Sequence, residues 1–103
     1  MAKEIHMYVS SGNCMDPNHV GNLCYQLKTI LDGSSKNYFQ KDISTSISYF
    51  RELCAATGKK VATVPAICIF ERGSIIDCQT SPDWEDWIND QSILFKWLSS
   101  HGL

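Results

Sequence analysis

Apolar residues along the chain switch between short strand-like runs and helical spacing, and the switches mark its elements. Glu4-Ile5-His6-Met7-Tyr8-Val9-Ser10 reads as a first strand, bounded by Ser11-Gly12-Asn13. Val20, Leu23, Cys24, Leu27, Ile30 and Leu31 then recur at helical spacing. Asp16-Pro17 supplies an N-cap and a proline at the first helical position. Asp32-Gly33 ends this helix, with the glycine suited to a left-handed cap. Tyr38–Ile43 is a second strand, and Ser44-Thr45-Ser46 offers caps for a second helix. Its expected apolar face is Ile47, Phe50, Leu53 and Cys54, and Gly58 terminates it. Lys59 and Lys60 follow, where positive charge is favoured by the helix dipole.

Ala66–Phe70 is a third strand, Glu71-Arg72-Gly73-Ser74 a hairpin turn, and Ile75–Cys78 a fourth strand. Ser81-Pro82-Asp83 repeats the cap-then-proline helix start. Trp84, Trp87 and Ile88 share one helical face, Asn89-Asp90-Gln91 interrupts, and Ile93, Leu94, Trp97 and Leu98 continue. A strand–helix–strand unit implies a parallel pair, and a short turn adds an antiparallel hairpin to the same sheet. The expected architecture is α/β: a mixed four-stranded sheet with helices on both faces, in a single domain over 1–103.

At 103 residues and 44% apolar content the chain is long enough to bury a core. A net charge of −2 gives no footprint for nucleic acid or an anionic membrane. No apolar run is long enough to span a bilayer. The first residues carry no secretory h-region, so the expectation is an intracellular, cytoplasmic protein. The five cysteines, at 14, 24, 54, 68 and 78, form no Cys-x-x-Cys. Cys24, Cys54, Cys68 and Cys78 fall at core positions of helices or strands, as buried free thiols would, and a reducing compartment permits that.

Thr63-Val64-Pro65 opens the third strand. Proline cannot donate to a ladder, so it belongs at a strand's first residue or edge. The bond before it is relatively free to be cis, which would turn the Val64 N–H and C=O outward. An ordinary strand start is the alternative.

Thr63-Val64-Pro65-Ala66-Ile67, together with the element order, resembles the glutaredoxin branch of the thioredoxin superfamily. The resemblance implies a thioredoxin-like fold of glutaredoxin size. It also implies that Val64 pairs through its backbone with a glutathione-like peptide. Cys14 stands close to where that family keeps its nucleophile, and Ser81-Pro82-Asp83 where a helix N-terminus holds the glutamyl carboxylate of glutathione. Cys14-Met15-Asp16-Pro17 replaces the family's Cys-Pro-Tyr-Cys, no lysine precedes Cys14, and Asp77-Cys78 replaces a Gly-Gly pair. Tyr8-Val9-Ser10-Ser11, Lys41-Asp42-Ile43 and Asp83-Trp84-Glu85-Asp86-Trp87 resemble the SH3-domain-binding glutamic-acid-rich-like proteins, thioredoxin-fold relatives that lack the redox motif. Pro17, Pro65 and Pro82 form no Pro-x-x-Pro, so nothing in the chain itself indicates an SH3 ligand.

Three functions follow. The first is a non-catalytic binding or adaptor module that holds a protein or glutathione-like peptide at the Thr63-Val64-Pro65 loop. The second is a monothiol, glutathione-dependent oxidoreductase with Cys14 as nucleophile, Val64 holding the tripeptide backbone and the Ser81-Pro82-Asp83 helix start its carboxylate. Two ends compete at Cys14: a helix N-terminus favours a thiolate, and Asp16 opposes it. The third is a subunit whose tryptophan-rich C-terminal region docks a partner, although helical spacing makes core packing the better reading of Trp84, Trp87 and Trp97. His6, His19 and His101 do not converge in sequence, so no metal site is expected. No cofactor is required, and glutathione is the one the resemblance suggests. Lys59-Lys60 is either a solvated helix end or a contact for a ligand carboxylate.

Overall fold

The computed structural model describes residues 3–10, 23–34, 36–60, 64–80 and 84–103. Among the described residues eight elements follow in order: β1 (Lys3–Val9), α1 (Leu23–Gly33), β2 (Tyr38–Asp42), α2 (Ile47–Thr57), β3 (Ala66–Glu71), β4 (Ser74–Gln79), α3 (Trp84–Asn89) and α4 (Gln91–Ser100). The strands form one mixed sheet in the order β2-β1-β3-β4. β1 runs parallel to β2 and antiparallel to β3, and β3 runs antiparallel to β4.

β1 and β3 are central, and both read as almost continuous buried runs, Ile5–Val9 and Ala66–Phe70. Side chains alternate across a strand, so a strand buried at every position must be covered on both faces. Ile5, Met7, Val9, Ile67 and Ile69 face one side, where Cys24, Leu27 and Leu31 of α1, Trp84 of α3, and Leu94 and Leu98 of α4 pack on them. Tyr8, Ala66, Cys68 and Phe70 face the other, against Leu53 and Tyr49 of α2. The expected mixed sheet with helices on both faces is therefore present. Trp84 is buried, and Trp87 and Trp97 are half-buried against the same core, so the tryptophans serve packing.

The caps follow the side-chain chemistry. The Ser46 hydroxyl accepts from the Tyr49 amide, and Gly58 closes α2 in the left-handed region at φ 69°. The Asp90 carboxylate caps α4 by accepting from the Ser92 amide. Gly33 differs from expectation: it stays in the last turn of α1 without a positive φ. Asp16-Pro17 and Ser81-Pro82-Asp83, the other expected helix starts, lie outside the described residues.

The β3–β4 hairpin turns through Arg72 and Gly73, both at positive φ (57° and 78°), the signature of a two-residue turn that matches strand twist. Glu71 faces Ser74 and Phe70 faces Ile75, but Ile69 faces Asp77. Ile76 is the extra residue of a β-bulge, and it is correspondingly exposed.

α2 departs most from expectation. Ile47 is 66% exposed, and Phe50 and Cys54 are only half-buried; among the residues of α2, Leu53 alone is buried. The helix is rotated so that Tyr49, Glu52 and Leu53 face the sheet, because Tyr8 and Lys41 present polar atoms there that Glu52 satisfies. Leu53→Ala should therefore cost about 2–5 kcal/mol, and Ile47→Ala less than about 0.5 kcal/mol. Urea denaturation of the two variants checks this; equal losses would mean that α2 sits in the rotation the periodicity suggested.

Candidate functional site

Pairing of Tyr8 with Ala66 sets the end of β1 beside the start of β3. Val9 also pairs with Asp42, and the Ile43 amide donates to the Val9 carbonyl at 2.9 Å. The carboxyl ends of the two parallel strands and the Val64-Pro65 segment thus share one end of the sheet, the end where open α/β sheets commonly bind ligands. The Val64–Pro65 peptide bond is cis. Val64 is half-buried and touches the apolar clusters on both faces, while Pro65 is buried. The Trp84 indole Nε1 donates to the Pro65 carbonyl at 2.9 Å, so the first residue of α3 is tied to the segment preceding β3.

Of the site residues expected from sequence, Val64 and Pro65 fall at this end. Cys14, Thr63, Ser81 and Asp83 lie outside the described residues. Lys59 is exposed and lines a cleft of about 390 Å³ between the C-terminal end of α2 and β4, together with Thr57, Ile75, Cys78 and Thr80. Among the described residues, no three His, Cys, Asp or Glu side chains converge as a metal set, and no helix is long and apolar enough to cross a membrane.

The cysteines overturn one expectation. Cys68 and Cys78 stand directly opposite each other on β3 and β4, with Cα atoms 4.1 Å apart, and form a disulfide. Cys24 is disulfide-bonded as well. These three are not free core thiols, and cysteine usage no longer argues for a reducing compartment. Cys54 is the free cysteine among the described residues.

A polar cluster under α2 escaped the sequence reading. Lys41 Nζ bonds Glu52 Oε1 at 2.6 Å, and the buried Tyr8 hydroxyl donates to the same oxygen. The Lys41 ammonium also lies over the Phe70, Tyr49 and Tyr8 rings, at 4.4, 5.1 and 5.3 Å from their centroids. Burial, then the Glu52 carboxylate, raises the Tyr8 pKa well above the usual phenol range. For Glu52, burial acts against the charge, but hydrogen bonds from Lys41 and Tyr8 outweigh it and the pKa falls. The arrangement clamps α2 to the sheet. Polar residues in a strand facing Glu52 of a neighbouring helix were its available signal, and the expected Ile47–Phe50–Cys54 face pointed elsewhere.

His6 lies next to this cluster, stacked on Phe70 with ring centroids 3.7 Å apart. Its Nε2 is 3.3 Å from Glu4 Oε1, and its Nδ1 is buried with no hydrogen-bond partner among the described residues. Burial first, and the Lys41 charge second, lower its pKa from 6.5, against a smaller opposing effect of Glu4.

No family model, curated protein or solved structure matches the chain. Its class is read from its own architecture: a mixed α/β domain with a four-stranded sheet, its described helices packed on both faces.

The His6 and Glu52 shifts imply a direction for acid sensitivity. A histidine whose pKa is lowered on folding leaves the unfolded chain to bind the proton first, so stability is full above 6.5 and is lost as pH falls from there toward the lower folded value. Glu52 contributes stability that is full above the ordinary carboxyl value and lost as pH falls through its depressed folded value. His6→Phe should keep the stack on Phe70 and remove the first loss. Urea midpoints measured between about pH 7 and about pH 5.5 should then decline less steeply than in the wild type. Parallel curves would clear His6 of this role.

Proposed function

We propose that the chain is a thioredoxin-fold binding module of glutaredoxin size, without a Cys-x-x-Cys motif, that takes an extended peptide main chain at Val64-Pro65. The strand order β2-β1-β3-β4, with one parallel and two antiparallel pairs, carries the reading. Its parallel β1–β2 pair and its antiparallel β3–β4 hairpin are the pairings expected from the element order, and they stand beside the resemblance at Thr63-Val64-Pro65 to glutaredoxins and, through Tyr8-Val9-Ser10 and Asp83-Trp84-Glu85-Asp86-Trp87, to the SH3-domain-binding glutamic-acid-rich-like proteins. Main-chain N–H and C=O groups of Val64 would pair with the peptide as an added strand does, which gives affinity with little demand on side chains. The Trp84 bond to the Pro65 carbonyl supports a preorganised platform, since a surface already held loses less freedom on binding.

S-methylglutathione tests this: it is a short extended peptide that cannot exchange thiols, so it reads binding alone. Titrated into ¹⁵N-labelled protein, up to about 10 mM to reach weak affinities, it should shift the amides of Ser10, Val64 and Ala66 most. Shifts confined to other regions, or none, would remove the peptide-binding reading.

A further inference from the structure

We propose that the Cys68–Cys78 bond is a thiol–disulfide exchange site, opened by a small peptide thiol that enters the cleft between α2 and β4 and attacks Cys78. The site is separate from Val64-Pro65 and does not depend on the reading of that segment.

Three observations converge. The first is access from one side. Cys68 is fully buried beneath α2, whereas Cys78 is half-buried and lines the cleft, so an incoming thiolate meets the Cys78 sulfur and Cys68 is the leaving group. The second is charge. Lys59 lines the same cleft and is exposed, a cation for the carboxylates of a peptide thiol such as glutathione, while Asp77, which also lines it, has its Oδ2 engaged by Trp97 and His101. The third is that the hairpin is held by other means. The Arg72-Gly73 turn and the β3–β4 ladder define the register without the sulfur bond, and a thiol at Cys68 would remain a small apolar group among Ala66, Phe70 and Leu53. The bond can therefore open without the sheet coming apart.

The chemistry balances with two equivalents of thiol. The first thiolate attacks Cys78, forming a mixed disulfide and releasing Cys68 as a thiolate, which takes up the proton the reagent lost. A second thiolate attacks the reagent's sulfur in that mixed disulfide, giving the symmetrical disulfide of the reagent and a Cys78 thiol. The protein gains two electrons and two protons, and two thiols are oxidised to one disulfide.

The test uses the full chain carrying Cys54→Ser, which removes the free thiol seen among the described residues. Equilibrated with reduced and oxidised glutathione in varied ratio, acid-quenched, alkylated and mapped by mass spectrometry, the Cys68–Cys78 pair should pass reversibly between oxidised and reduced states while the far-ultraviolet circular dichroism stays native. Adding Cys68→Ser should leave Cys78 as the acceptor of one glutathione from the oxidised form. In the companion variant with Cys78→Ser, Cys68 should be modified at least about tenfold more slowly, since attack rates follow access. A pair that resists about 10 mM glutathione in the folded protein, or is reduced only on unfolding, would overturn the proposal. So would preferential modification of Cys68. If either serine variant fails to fold, the titration of the intact pair still decides the question.

Discussion

Burial of β1 and β3 on both faces is the constraint from which the rest of the molecule follows. A strand exposed on one side tolerates some slippage; one enclosed on both cannot move by a single residue without exchanging every side chain between two differently furnished cores. One core is aliphatic, built with α1, α3 and α4, and the other is aromatic and polar, built with α2. Because Ile5, Met7 and Val9 fit the first and His6 and Tyr8 fit the second, the register of β1 is set twice over. The positions of Val64 beside the end of β1, and of Cys68 in the hairpin, are consequences of that register.

The two faces carry different physics. On the α1 side, hydrophobic burial is nearly unmixed, and the polar anchor is peripheral: Asp77 accepts from the Trp97 indole at 3.2 Å and lies 2.8 Å from the His101 ring nitrogen, fastening α4 to β4. On the α2 side, one helix with one buried leucine is held largely by a carboxylate shared between a lysine and a tyrosine. A charge set among aromatic rings is sensitive to acid in a way an aliphatic core is not. The cleft beside Cys78 also opens on this more lightly covered side.

Much of the fold could be read from local chemistry. The strand runs, the serine cap at Ser46, the glycine stop at Gly58, the break at Asp90 and the turn at Arg72-Gly73 all lie where short-range preferences place them. Of the site, the proline ahead of an apolar run left the Val64–Pro65 bond open between cis and trans, and the structure has it cis. What could not be read depends on distance across the sheet. The rotation of α2 is decided by Tyr8 and Lys41, which are far from Glu52 in sequence, and periodicity within the helix favoured a different face. The Cys68–Cys78 pairing was hidden for a related reason. Counting back from a two-residue turn places Asp77, not Cys78, opposite Cys68, and only the bulge corrects the count.

That bulge gives the choice of which residue stays unpaired a meaning in the hairpin that residue identity lacks. Ile76 contributes little through its own exposed side chain, yet its place outside the ladder sets the phase of everything after it in β4. Were it drawn into the ladder opposite Ile69, Asp77 would turn toward the aromatic side and Cys78 toward the aliphatic one. Trp97 and His101 would lose their shared acceptor in the same stroke that parts the two sulfurs. Erasing the letter at position 76 would close the gap and leave the remainder of the line in place; reading it as part of the ladder is what would transpose that line.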